Sequence, residues 1–170
     1  EKYGDTLAPY EYKALLMNNA NPAIDLLDPV SGERGGRAPI TRMGAGQVDA
    51  AAANAAQLLA WASDGDDPVL WSGALSYGYL PVTANTTVTR TLTLENLAAS
   101  PVNVTITSTF RYTGDQNQGV RLVPQPGSLT IPAEGKREVV MALELYPDGI
   151  PSTLGPLKPW AINKGALGGD

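Results

Sequence analysis

Gly44-Ala45-Gly46 precedes a run from Val48 to Ala62 with apolar residues at helical spacing. Glycine turns that open helices can cradle phosphate through unpaired backbone N–H groups. The dinucleotide pattern asks for a third Gly at position 49, where this chain has Asp49, a negative charge where phosphate would sit. The segment therefore reads as a tight turn into a helix whose first turn Asp49 helps to cap. Asp64, Asp66 and Asp67, in Ser63-Asp64-Gly65-Asp66-Asp67-Pro68, offer oxygen ligands for Ca²⁺, but no bidentate Glu follows at the calcium-loop spacing. They read as a solvated helix end and linker. Trp61, Trp71 and Trp160 could form a sugar-stacking face; their wide dispersal favours core packing. No Ser is followed by Lys three positions on, so the Ser-Lys nucleophile has no signature. Glu134, Lys136, Arg137 and Glu138 read as a charged hairpin end that discourages edge pairing. Asn85-Thr86-Thr87 and Asn103-Val104-Thr105 are glycosylation sequons if the source glycosylates.

Composition narrows the chemistry further. Among 170 residues there is no His and no Cys. That closes Ser-His-Asp and Cys-His catalysis, His-ligated metals, disulfides and zinc-thiolate sites. No catalytic, cofactor-binding or metal-ligating residue is assigned, and no cofactor is expected. The 18 Gly and 14 Pro exceed the roughly 12% of an average chain and favour many turns. Net charge is −5. Residues 1–64 hold five Lys/Arg against eight Asp/Glu, and residues 65–170 hold seven against nine. Neither half has the basic stripe that nucleic acid requires. No run approaches the ~20 apolar residues of a membrane span. The sequence begins at Glu1 with no signal-peptide pattern, which suggests a processed product or excised piece whose export signal lies outside it.

The elements fall into two grammars. Residues 1–64 read as helical. Pro9 suits a first turn, Tyr12, Leu15, Leu16 and Asn19 follow at helical spacing, and Asn18 to Pro22 ends the run. Ile24 to Pro39, with Gly32, Gly35 and Gly36, reads as a mobile surface loop. A second helix is expected from Asp49 to about Ala62, with a stripe of Val48, Ala52, Ala55, Leu58, Leu59 and Ala62. Residues 65–170 switch to period two. Thr87, Thr89, Thr91 and Thr93 alternate with Val88, Arg90, Leu92 and Leu94. Val102, Val104, Ile106 and Phe110 lie on a second such run, and Val139, Met141, Leu143 and Leu145 on a third. Turn signals fall at 95–101, 114–115, 124–127 and 132–136. The expected fold is mainly β, an antiparallel β-sandwich of fibronectin type III or immunoglobulin type preceded by two helices. The tail after Pro147 reads as loop, and the sandwich as incomplete at its C-terminus.

Three stretches together resemble the subtilisin-like serine peptidases. Glu11-Tyr12-Lys13-Ala14-Leu15-Leu16-Met17-Asn18-Asn19-Ala20-Asn21-Pro22 resembles the helix that follows shortly after the one bearing the catalytic Ser. Thr41 to Ala53, TRMGAGQVDAAAA, is the most specific part and resembles the strand-turn-helix that closes the catalytic domain. Residues 88–107 and 121–145 resemble the fibronectin type III-like module of large secreted and cell-envelope subtilases, and Pro159 to Gly168 also fits that module.

The resemblance implies a boundary near Gly65. Residues 1–64 would be the helical end of a peptidase domain and residues 65–170 the fibronectin type III-like module. The family's catalytic Asp, His, oxyanion Asn and nucleophilic Ser would all belong upstream of Glu1, so none is carried onto this chain. The implied role is a non-catalytic accessory and scaffold portion of a subtilisin-like endopeptidase, secreted or in a bacterial-type cell envelope. Its partner would be the missing catalytic domain, with calcium possible in the parent. Self-association through the exposed helical stripe is a further expectation. The alternative is a free-standing extracellular β-sandwich that binds carbohydrate, cell wall or protein.

Overall fold

The computed structural model of the protein describes residues 6–27, 30–38, 40–62, 71–111 and 119–150. In chain order the elements are α1 (Pro9–Asn18), β1 (Asp25–Leu27), β2 (Arg34–Arg37), α2 (Ile40–Met43), α3 (Ala50–Ala55), β3 (Leu58–Ala62), β4 (Thr86–Asn96), β5 (Val102–Thr105), β6 (Val120–Gln125), β7 (Ser128–Ile131) and β8 (Lys136–Leu145), with a 3-10 turn at Pro147–Gly149. The architecture is mainly β, with antiparallel sheets and a few helices.

The first helix follows its sequence signals. Pro9 occupies the opening turn, where a missing N–H costs nothing. Glu11 Oε2 accepts the Ala8 N–H at 2.7 Å, and at the other end Asn19 Nδ2 donates to Leu15 O at 2.8 Å. Helix α3 opens as expected too, with Asp49 Oδ1 accepting from Ala52 N at 2.8 Å.

It does not run on to Ala62. Ala56 is extended, with φ −58° and ψ 145°, and Leu58–Ala62 is strand β3. Leu-Leu-Ala-Trp-Ala is apolar at every position. A strand with an apolar layer on each side buries all of it, which one face of a helix cannot do. The expected stripe is thereby divided between a short helix and a strand. Val48 is 65% exposed, and Ala53, outside the stripe, is the buried alanine of α3. The surface expected to drive self-association does not exist as drawn.

Residues 24–39 also differ from expectation. In place of a mobile loop, β1 and β2 form an antiparallel pair, with Asp25 opposite Arg37. Gly32 takes φ 70° in the connection, a conformation open to glycine at little cost. Strand β5 stops at Thr105, short of the Phe110 that the alternation reached. The turn expected at 114–115 and the tail after Ile150 lie outside the described residues.

The main sheet has the order β3-β4-β8-β6, and β5 pairs with β7 in a second sheet. Strands β4 and β8 form its spine, antiparallel from Thr86 opposite Leu145 to Glu95 opposite Lys136. On one face, Leu94, Val139 and Met141 cluster with Ile131 of β7, joined by Leu58, Leu92, Val102, Val104 and Leu129. On the other face, Leu59 and Trp61 of β3 cluster with Ala14, Leu15 and Ala53 from the helices. Strand β3, which lies before the compositional change at Asp64, thus alternates between two apolar layers. Buried Asn96 closes the corner beside it: its Nδ2 donates to Ser100 O at 2.7 Å and Pro132 O at 2.9 Å, and its Oδ1 accepts from Ala98 N at 3.0 Å.

Candidate functional site

Two rungs of the main sheet build the site. Leu59 lies opposite Glu95 and Glu95 opposite Lys136, while Trp61 lies opposite Thr93 and Thr93 opposite Glu138. Cross-strand partners share a face, so Glu95, Lys136, Trp61, Thr93 and Glu138 stand together. The first turn of α1 lays Tyr10 and Glu11 over them.

The charged groups form one connected cluster. Lys136 Nζ donates to Glu11 Oε1 at 2.9 Å and lies 3.3 Å from Glu95 Oε2. Glu95 Oε2 is buried and makes no hydrogen bond, so this second contact is electrostatic only. Tyr10 Oη donates to Glu11 Oε1 at 3.2 Å, and Lys136 Nζ sits 4.9 Å from the Trp61 ring centroid, within cation–π range.

The two carboxyls differ in how they bear their charge. Burial opposes ionisation of Glu11, but the bonds from Lys136, Ala8 N–H and Tyr10 outweigh it and hold its pKa below the ordinary value. Burial also pushes Glu95 up; Lys136 pulls against it, the Glu11 charge adds to it, and the net is a raised pKa. Burial works against the Lys136 ammonium, yet the bond to Glu11 and the Glu95 charge raise its pKa.

The aromatic groups pack as a chain. Tyr10 lies 5.7 Å from Trp61 at 58° and 4.8 Å from Trp71 at 83°, the latter a T-shaped contact. Beside them runs an open groove of 610 Å³ lined by Tyr10, Trp61, Trp71, Thr93, Lys136, Arg137 and Glu138. Trp61 is buried, and its Nε1 has no hydrogen-bond partner.

Of the residues singled out in the sequence, Trp61 and Trp71 meet here through Tyr10. Trp160 and the carboxylates of Asp64, Asp66 and Asp67 lie outside the described residues. Gly44 and Gly46 form a turn with φ 59° and 134°, and a Cβ on Gly46 would run into the Asn21 carbonyl. Lys136, Arg137 and Glu138, read as a charged hairpin end, open β8 just after the turn and pair with β4 there, while β6 pairs with β8 only from Val140 on. Glu11, Glu95 and Tyr10 were not foreseen. Residues 11 and 136 are 125 positions apart, and no local spacing links them.

The arrangement carries an ion cluster and an aromatic groove, suited to holding elements together and to binding. Among the described residues no group of three or more His, Cys, Asp or Glu could hold a metal ion, and no helix is long and apolar enough to cross a membrane. Comparison with protein-family models and with curated proteins finds no match to this chain.

Proposed function

We propose that this chain is a non-catalytic accessory and scaffold portion of a subtilisin-like serine endopeptidase, secreted or held in a bacterial-type cell envelope. In this reading the helical segment is the closing part of the peptidase domain and the β-rich segment is a fibronectin type III-like sandwich. The observation that carries the scaffold role is strand β3. Its Leu59 and Trp61 pack among the helices, while Leu58 and Ala60 join the apolar cluster between the two sheets. A strand shared in this way transmits position from one layer to the other with no flexible joint between them. The Glu11–Lys136 bond adds a polar tie between α1 and β8. Of the roles open to such a module, bracing the catalytic domain fits this geometry better than acting as a loose spacer.

Peptide-bond cleavage through an acyl-enzyme needs a nucleophile, a general base and oxyanion donors. With no His in these 170 residues, that chemistry belongs, in this reading, to the catalytic domain of the parent. The test is the coding sequence upstream of Glu1. A Gly-Thr-Ser-Met-like nucleophile segment just before this chain, with His and Asp elements further back, is the expected result. A start codon or a signal peptide immediately before Glu1 overturns the reading.

A further inference from the structure

The main sheet ends in β3 and β6, and β5 and β7 are each an edge of the second sheet. An edge strand offers unpaired N–H and C=O groups to any further strand. Most of these edges are closed or blunted. Along β3, Ala62 exchanges backbone hydrogen bonds with Ser72 at 2.8 and 3.2 Å, and Asn18 Oδ1 accepts from Ala60 N at 2.8 Å. Strand β6 carries Pro124, and its Leu122 carbonyl accepts the Ser108 hydroxyl at 2.9 Å. Strand β7 is bracketed by Pro126 and Pro132. Strand β5 differs. Among the described residues it pairs with β7 alone, and from Val102 to Phe110 the sequence holds no charge and no proline.

The ladder fixes which groups face outward. Ile106 N donates to Gly127 O at 2.9 Å. Antiparallel alternation then commits the backbones of Val104 and Val102 to β7 and turns those of Asn103 and Thr105 to the open side. The side chains of Val102, Val104 and Ile106 join the apolar cluster partly buried, whereas Asn103 and Thr105 are exposed. Asn103 Oδ1 accepts the Thr130 hydroxyl at 2.6 Å, which leaves its Nδ2 donors for a neighbour. Such an edge is complementary to itself. Asn103 of one copy set opposite Thr105 of another gives about four backbone hydrogen bonds and places Val104 against its twin over the half-covered apolar layer. The uncharged edge also lets two copies of a chain of net charge −5 meet without like-charge repulsion there. A two-fold pairing uses the same patch on both copies and stops at two. We infer that β5 is a self-association surface, where two copies of this chain join antiparallel about a two-fold axis at Val104. The pairing takes the place of the helical stripe expected from the sequence, and it does not depend on the peptidase reading.

Sedimentation equilibrium of the full chain from about 1 μM to about 500 μM tests it. A reversible monomer–dimer equilibrium within that range is expected. Asn103→Lys combined with Thr105→Lys sets Lys against Lys across the axis and should weaken the dimer roughly tenfold or more. Asn103→Glu combined with Thr105→Lys sets Glu against Lys in both halves of the pair. That variant should keep its dissociation constant within about threefold of the unaltered chain. Far-UV circular dichroism establishes that each variant is folded. If the double Lys variant is not, Thr105→Lys alone takes its place, with a weakening of about threefold or more expected. The surface is overturned by a chain still monomeric at about 500 μM, whether its edge stays open or is filled from within the chain. A dimer indifferent to the Lys substitutions overturns it too, as does a Glu/Lys variant as weak as the Lys/Lys one.

Discussion

Lys136 stands between two carboxylates that it serves unequally. Glu11 receives its proton bond at 2.9 Å and two further donors, whereas Glu95 Oε2 is buried without a hydrogen bond, facing both the Lys136 ammonium and the Glu11 charge. Removing the charge should therefore have opposite consequences at the two positions. Glu11→Gln loses a charge-assisted bond and is expected to cost about 1–2 kcal/mol. Glu95→Gln relieves a buried repulsion and should be neutral or stabilising by up to about 1 kcal/mol. Urea denaturation at pH 7 measures both, and the reverse order would sink this account of the cluster. The same inequality sets a pH profile. Glu11, with its pKa lowered from 4.5, contributes stability that is present above that value and lost as pH falls through the lowered one. Glu95, raised from 4.5, binds its proton more tightly when folded, so stability rises as pH falls through its raised value. Urea midpoints between about pH 3 and pH 8 should peak near the ordinary carboxylate value of 4.5, where the Glu95 gain is complete and the Glu11 loss has not begun. Glu95→Gln should flatten the upper limb and Glu11→Gln the lower. None of this cluster was legible in the sequence, because it is made by strand register and by a helix docking from the far end of the chain. Trp61 and Trp71 were visible as candidates, but only Tyr10, an unremarked residue of the first helical turn, brings them together.

At the level of elements, one-sided burial decided what could be read. Strand β4 has threonines on one face and Leu92 and Leu94 on the other, so its alternation states its structure, as the Pro9 start and the Asn-Pro stop do for α1. Strand β3 has no polar face, and a short apolar run lacks a period that separates helix from strand. Next to an alanine-rich segment of high helical propensity, it reads as helix until pairing with β4 is known. The hairpin of β1 and β2 is rich in glycine and short, so its pairing leaves little trace in composition. A pair of substitutions separates the two descriptions of 48–62. On the expected helical stripe, Val48 and Leu59 would share a buried face. In the structure Leu59 is fully buried while Val48 is 65% exposed. Leu59→Ala is expected to cost about 2–5 kcal/mol and Val48→Ala within about 0.5 kcal/mol of zero, both read from urea unfolding. Comparable costs at the two positions would restore the continuous helix. The turn before α3 gives an independent check. Gly46→Ala places a side chain at positive φ against the Asn21 carbonyl and should lower stability by about 2 kcal/mol or more.

Across the whole molecule, the question is whether the helical layer and the β-rich layer unfold as one. Two apolar clusters, one around Leu15, Ala53 and Trp61 and one around Ile131, Val139 and Met141, adjoin through the two faces of a single five-residue strand. If β3 leaves the sheet, both clusters open, so neither layer has an independent route to unfolding that spares the other. Fluorescence in a Trp160→Phe background reports on Trp61 and Trp71, hence on the helical side, whereas far-UV circular dichroism follows the backbone of strands and helices alike. Their urea transitions should coincide, the signature of a cooperative two-state unit. A stronger form of the test perturbs one cluster and watches the other. Ile131 is fully buried in the second cluster, and Ile131→Val should cost about 0.5–1.5 kcal/mol. In a coupled molecule the fluorescence midpoint shifts with the dichroism midpoint by the same amount, although neither Trp61 nor Trp71 belongs to the Ile131 cluster. A fluorescence transition left in place would show two independently folding layers joined by a passive strand. That result would also remove the mechanical basis for bracing, because a layer that unfolds alone cannot hold a neighbouring catalytic domain in position.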